Sequence, residues 1–230
     1  MKKWIALAGG LPLVISLIWL QYLPDRVGVH YDISGEPDRW GSKWELLILP
    51  GIALVLAAGF LIAIRVLERK AAGAEQDRAQ AYAGTNARTA AWVALAMGLF
   101  FTGLQIYFLL AAGRSAGSEA APAANAAKVT GAGMGLLLIV LGNLMPKSRK
   151  NSAMGMRCKW SMYNDETWRR SNRAAGIVSI AAGAAIFVAV LLAPSSWAIP
   201  ILLAGLAGML AASMLCARKI YKEETAKTEG

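Results

Sequence analysis

The sequence predicts an all-α integral membrane protein: a bundle of six transmembrane helices, both termini cytoplasmic, with a structured outer loop after the first helix. Three observations predict it. The chain is 57% hydrophobic and only 17% charged, with a mean hydropathy of +0.46, which is greasier than an ordinary soluble domain. Its apolar residues gather in six continuous runs, Trp4–Leu23, Leu46–Ile64, Ala90–Ala112, Val129–Met145, Ala174–Ala193 and Trp197–Ala217. Each is close to the roughly 17–25 residues that cross a hydrocarbon core about 30 Å thick. Continuous apolar runs point to helices, because lipid offers no hydrogen-bond partners to an open backbone. The third observation is the placement of charge. With the N-terminus inside, the inner side carries Lys and Arg as two in the N-terminal tail, five in 65–88, eight in 147–173 and four in the C-terminal tail; the outer side keeps five. That bias follows the positive-inside rule.

The net charge of +10 therefore reflects topology. A nucleic-acid partner is not expected, since the cations lie in short loops with no recognised fold to present them. The expected surroundings are the lipid bilayer, and the expected location is a multi-pass position in a bacterial cytoplasmic membrane. Lys2-Lys3 followed by an apolar run has the look of a secretory leader, but Trp19-Leu20-Gln21-Tyr22-Leu23 lacks a small-x-small cleavage pattern, so an uncleaved first span is expected. Cys158 and Cys216 fall on the cytoplasmic side, where thiols stay reduced.

Four segments are expected: a two-helix unit at 1–70 with a patterned outer loop, a polar cytoplasmic connector at 71–88, a four-helix membrane domain at 89–217 and a cytoplasmic tail at 218–230. In the first span Pro12 removes a backbone donor. Trp19, Tyr22, Trp40, Trp44 and Trp197 suit an outer aromatic belt. In the outer loop Val27, Val29, Tyr31 and Ile33 alternate with Gly28, His30 and Asp32, a period of two that predicts a short strand with His30 and Asp32 on one face. Ser34–Asp38 reads as a turn. Residues 68–88 read as a polar extension of the second span, with a break near Gly84. The second outer loop, 113–127, is rich in Ala, Gly and Ser and reads as a connector. Pro146 ends the fourth span, and Asn164 is placed to cap a helix whose first turn carries Asp165 and Glu166. Gly131-x-x-x-Gly135 and Ser179-x-x-x-Gly183 permit close helix approach, read chiefly as packing within the chain. Gln105 and Ser179 are among the few polar side chains at depth, and the spans lack the ionisable groups that ion-coupled transporters keep there.

The inner loop carries a pattern: Gly142, Asn143, Pro146, Asn151, Gly155, Arg157, Trp160, Trp168, Arg173 and Gly176. In residue type and spacing it resembles the SdpI family of bacterial membrane proteins. The first outer loop, through Pro24, His30, Gly35, Pro37, Asp38 and Trp40, resembles a short domain of unknown function that often precedes the SdpI region in the same chain. Two departures stand out: Cys158-Lys159 where members often have Thr-Pro, and Asn172 where many have His. The resemblance implies an immunity-type protein that protects a producing bacterium from its own secreted, membrane-active peptide toxin. It also implies, for some members, a relay in which a cytoplasmic repressor is held at the inner membrane face.

The residues also carry readings of their own beside that likeness. His30 with Asp25, Asp32, Glu36 and Asp38 suggests a metal or acid–base site, but zinc wants several His or Cys and this chain has a single His. The favoured reading makes His30 and Asp32 polar residues that bond the loop to itself above the bundle; His30, Asp32, Gly35, Pro37, Asp38 and Trp40 are the outer-loop candidates for binding a ligand. Arg157, Lys159 and Trp160 suit either headgroup anchoring or a docking surface for a cytoplasmic partner. Asn143 reads as a helix-end residue. No catalytic triad order, His-Glu-x-x-His or phosphate-binding glycine loop is present in the sequence, so no enzyme activity, cofactor or metal is expected. The alternatives to an immunity protein are a small-molecule transporter or efflux protein, and a membrane protein with an outer-face metal or enzymatic site at His30.

Overall fold

A computed structural model describes residues 1–32, 37–73, 77–116, 126–151 and 154–229. Six helices are long and apolar enough to cross a membrane: α1 (Lys2–Trp19), α2 (Ile48–Ala72), α3 (Asp77–Ala116), α4 (Ala126–Leu144), α5 (Asp165–Leu192) and α6 (Ala198–Glu229). Between α1 and α2 lies an antiparallel hairpin of β1 (Arg26–Tyr31) and β2 (Pro37–Ser42). The helices group three and three. α1, α2 and α3 pack on one another, α4, α5 and α6 pack on one another, and α3 against α4 joins the halves.

Polar contacts mark which termini share an end. Lys2 pairs with Glu68, Tyr82 Oη donates to Asp165 Oδ2 at 3.1 Å, and Arg170 pairs with Glu223 at 2.5 Å. Those bonds bring the starts of α1, α3 and α5 to the ends of α2 and α6. The hairpin lies at the opposite end, where Val27 is fully buried with Leu20, Leu23, Leu109 and Ala112. Many large apolar side chains remain exposed, among them Leu7, Val55, Leu99 and Leu203. That surface suits a lipid solvent as apolar as the side chains themselves.

With no hydrophobic drive between helices in lipid, close packing and internal hydrogen bonds must hold the bundle. Pro12 has no amide to offer the carbonyl of Ala8, and α3 approaches there: a Cβ built on Gly98 would lie 2.7 Å from Ala8 Cβ. One turn on, Ser16 Oγ donates to Pro12 O at 2.7 Å and accepts from Gln105 Nε2 at 2.8 Å. The same amide nitrogen donates to Leu46 O at 3.0 Å. Gln105, 1% exposed, thus ties α3 both to α1 and to the start of the second span.

In the C-terminal half α4 and α5 meet through glycine. A Cβ on Gly142 would lie 2.6 Å from Gly176 O, and one on Gly135 would lie 2.7 Å from Gly183 O. The two pairs stand a heptad apart on antiparallel helices, and Gly131 continues the row against Val190. The expectation that these glycines serve packing within the chain fits this arrangement.

The details of two segments differ from expectation. Residues 77–116 form one unbroken helix that runs through Gly84, and the interruption falls at Gly73, the C-cap of α2. Gly84 is exposed, with open space where a Cβ would stand, so the helix tolerates it at the cost of propensity alone. Ser34–Asp38 is expected to be a turn, but Pro37 and Asp38 open β2, whose register sets Val27 opposite Gly41 and His30 opposite Arg39. Residues 33–36, with Gly35 among them, and most of the second outer loop at 117–125 lie outside the described residues.

Candidate functional site

The inner loop between α4 and α5 is organised from its own sequence. After Leu144 a 3-10 turn at Met145–Lys147 changes the chain's direction, as expected of Pro146. Gly176 lets α5 pass close to that turn, since a Cβ there would lie 3.1 Å from Pro146 Cδ. Asn164 caps α5: its Oδ1 accepts from Thr167 N at 2.7 Å, and Thr167 Oγ1 accepts in return from Asn164 N at 2.9 Å. Such a reciprocal box fixes where a helix begins, and the fixed start aims Trp168 and Asn172 back under the loop.

Trp168 and Asn172 are the centre on which the loop is built. Trp168 is 2% exposed and donates from Nε1 to Ser148 O at 3.0 Å. Asn172, fully buried, accepts from Met156 N at 2.8 Å and donates to Trp168 O at 3.1 Å. Gly155 adopts φ +94° directly above them; a Cβ there would stand 2.5 Å from Asn172 Oδ1 and 3.0 Å from the Trp168 ring. Both the backbone angle and the close approach require glycine. Asn151 holds its own stretch, accepting from Met154 N at 2.7 Å and donating to Arg149 O at 2.6 Å. Buried Ser161 accepts from Cys158 N at 3.0 Å and donates to Met156 O at 2.8 Å.

Gly155→Ala should therefore destabilise the loop by about 1–3 kcal/mol, the range for one strained residue. Amide exchange at Met156 reads this: faster exchange than in the parent protein is expected, and unchanged protection would contradict the geometry.

Of the expected inner-loop residues, Gly142, Pro146, Asn151, Gly155, Trp168 and Gly176 are brought together as this scaffold. Asn143, Arg157 and Arg173 are exposed around it. Trp160 lies between two cations, Lys159 Nζ 5.5 Å and Arg218 6.0 Å from its ring centre. Arg157, Lys159 and Trp160 thus present a basic, aromatic surface on a rigid loop. Sequence reasoning missed Asn86 of α3, 2% exposed, whose Oδ1 accepts from Arg149 N at 2.8 Å. Its signal was an amide side chain in the stretch misread as a helix break.

At the other end, His30 Nδ1 meets Asp38 Oδ1 at 2.5 Å across the hairpin, both side chains substantially exposed. Arg39 pairs with Glu45 at 3.0 Å, and Glu45 Oε1 also accepts from Ser42 N at 3.1 Å. Trp40 is exposed on β2. A cleft of 210 Å³ opens beneath, lined in part by Val29, Arg39, Glu45 and Phe108. Among the described residues no three His, Cys, Asp or Glu side chains gather as a metal site would require.

Comparison with known proteins bears on both ends. Residues 147–217 match the SdpI/YfhL protein family, and residues 7–54 match a domain of unknown function, DUF1648. The C-terminal third of the chain is thus similar to the SdpI/YfhL family. The SdpI/YfhL match takes in Asn151 through Gly176 of the inner-loop scaffold, and the DUF1648 match takes in the whole hairpin. Immunity protein SdpI of Bacillus subtilis is 26% identical over 179 residues, covering 77% of this chain and 75% of that protein. An uncharacterized protein of Archaeoglobus fulgidus is 43% identical over 56 residues, 22% of this chain and 31% of that relative. Against that relative the chain spans about a third of the length. No solved structure matches this chain.

Proposed function

We propose that this protein is an SdpI-like immunity protein of the bacterial cell membrane, a binding protein with no catalytic role. It recognises a secreted, membrane-active peptide at the hairpin end and signals its presence to a cytoplasmic repressor at the inner loop. The observation that carries this reading is the similarity to Immunity protein SdpI along 77% of the chain. The hairpin supports it: β2 is exposed along most of its length, and among the described residues it has a neighbouring strand on one side only. An extended peptide can add to such an edge. Helix α3 supports a relay, since it packs against β1 at one end and holds Arg149 through Asn86 at the other. Relay further requires two bundle states that differ in peptide affinity.

A transporter finds less support. A hydrated cavity around Gln105 would have favoured it, but the Gln105 amide nitrogen donates to Ser16 Oγ and Leu46 O. An outer-face enzyme would need His30, which pairs with Asp38 in the open.

The test is survival. A sensitive bacterium expressing the chain is challenged with the peptide toxin of the B. subtilis system, with protein level confirmed in the membrane. Improved survival is expected. No improvement at confirmed expression removes the immunity reading for that peptide, and full protection by a well-expressed His30→Ala would argue against a chemical role for the outer face.

A further inference from the structure

Two clefts on the seam between the halves run into one another. The larger, 970 Å³, lies between α1, α3 and α4 and is walled by apolar side chains such as Leu7, Leu99, Leu136 and Val140. The smaller, 390 Å³, lies at the end that carries the termini and is lined by Thr85, Arg88, Thr89, Trp92, Leu144 and Lys147. Trp92 and Leu144 line both, so a greasy slot opens directly into a pocket with two cations. Arg88 and Lys147 are both exposed. Among the described residues, neither is in an ion pair with a carboxylate.

We propose that this seam holds an anionic phospholipid of the leaflet on that side, its acyl chains in the α1/α3/α4 cleft and its phosphate between Arg88 and Lys147. The chemistry of the walls changes along the slot as a phospholipid does along its length. Trp92 stands where the two parts join, and Trp is a residue that favours the membrane interface. Basic pockets between membrane helices recognise anionic headgroups in this way. A second copy of the chain set symmetrically on the same seam would oppose these cations to their own kind, since a two-fold contact uses the same patch twice. The site lies where α3 meets α4, so its occupant bridges the two halves.

Native mass spectrometry of the full chain in neutral detergent tests this, with phosphatidylglycerol and phosphatidylcholine of identical acyl chains added in competition. Retention of phosphatidylglycerol is expected, preferred about thirtyfold for two cations at the surface. Arg88→Gln with Lys147→Gln should erase the preference and leave the lipid-free melting temperature unchanged, because both side chains are exposed. Gly103 lines the cleft and has open space where a Cβ would stand, so Gly103→Phe fills the slot and should reduce binding of both lipids. Equal retention of the two lipids by the parent protein, or an undiminished preference in the double variant, would overturn the proposal. Dimers that persist without lipid and vanish in Gly103→Phe would overturn it in favour of a subunit interface.

Discussion

Gly142→Leu is expected to prevent assembly of the C-terminal three helices, leaving little monodisperse protein in detergent. A single Cβ at this position already meets Gly176 O at 2.6 Å and Ile180 Cγ1 at 2.9 Å, and the nearest obstacle is backbone, which cannot rotate aside. The milder Gly142→Ala should cost about 1–3 kcal/mol, the usual penalty for overpacking, and Gly176→Ala a similar amount. The loss falls on the closest helix contact in that half, and in lipid no hydrophobic term compensates when backbones are pushed apart. Gly59 supplies the control, because a Cβ there meets nothing within 4 Å. Gly59→Ala should be neutral or slightly stabilising, as alanine is the better helix former. Melting curves of the three alanine variants in one detergent decide it. Equal shifts for Gly59→Ala and Gly142→Ala would mean that glycine contact does not hold α4 to α5.

The second large effect is expected from Trp168→Ala. It empties the middle of the inner loop, where the side chain is 2% exposed, and strips Ser148 O of its donor. Truncating a buried aromatic costs about 3–5 kcal/mol. Here the cost should fall on the loop before the spans, because the helices keep their own contacts. Limited proteolysis of inside-out vesicles should cut between residues 147 and 164 far faster than in the parent protein. Trp168→Phe keeps most of the ring and loses the hydrogen bond, so an intermediate rate is expected from a buried carbonyl left unpaired, worth about 1–3 kcal/mol. Identical rates for the parent and Trp168→Ala would show that the loop is not organised around this side chain.

The spans were readable because lipid imposes length and apolarity on each separately, and the observed helices contain the expected runs with only end residues such as Leu23 and Ala193 falling outside. The α5 cap was readable too, since Asn164 ahead of Asp165 and Glu166 is a local signal. What was misread depends on partners. β2 has no alternating pattern of its own in Asp38-Arg39-Trp40-Gly41, and it is a strand because β1 pairs with it. Gly84 looked like a break in a polar stretch, but burial of Ala87, Ala90 and Ala91 against Ile5 and Ile64 holds α3 helical nearby. Asn172 was noticed only as a departure from a pattern, yet it joins Met156 to Trp168. A buried amide at the centre of a loop gives no periodic signature.

Recognition at the hairpin with a relay at the inner loop requires the two to face opposite sides of the membrane, with the termini on the inner loop's side. Single cysteines at His30 and at Arg157, both exposed, in a chain with Cys158 and Cys216 changed to Ser, test this most directly. A membrane-impermeant thiol reagent should label His30→Cys in intact cells and Arg157→Cys only after permeabilisation. Labelling of both in intact cells, or of Arg157→Cys alone, would contradict it.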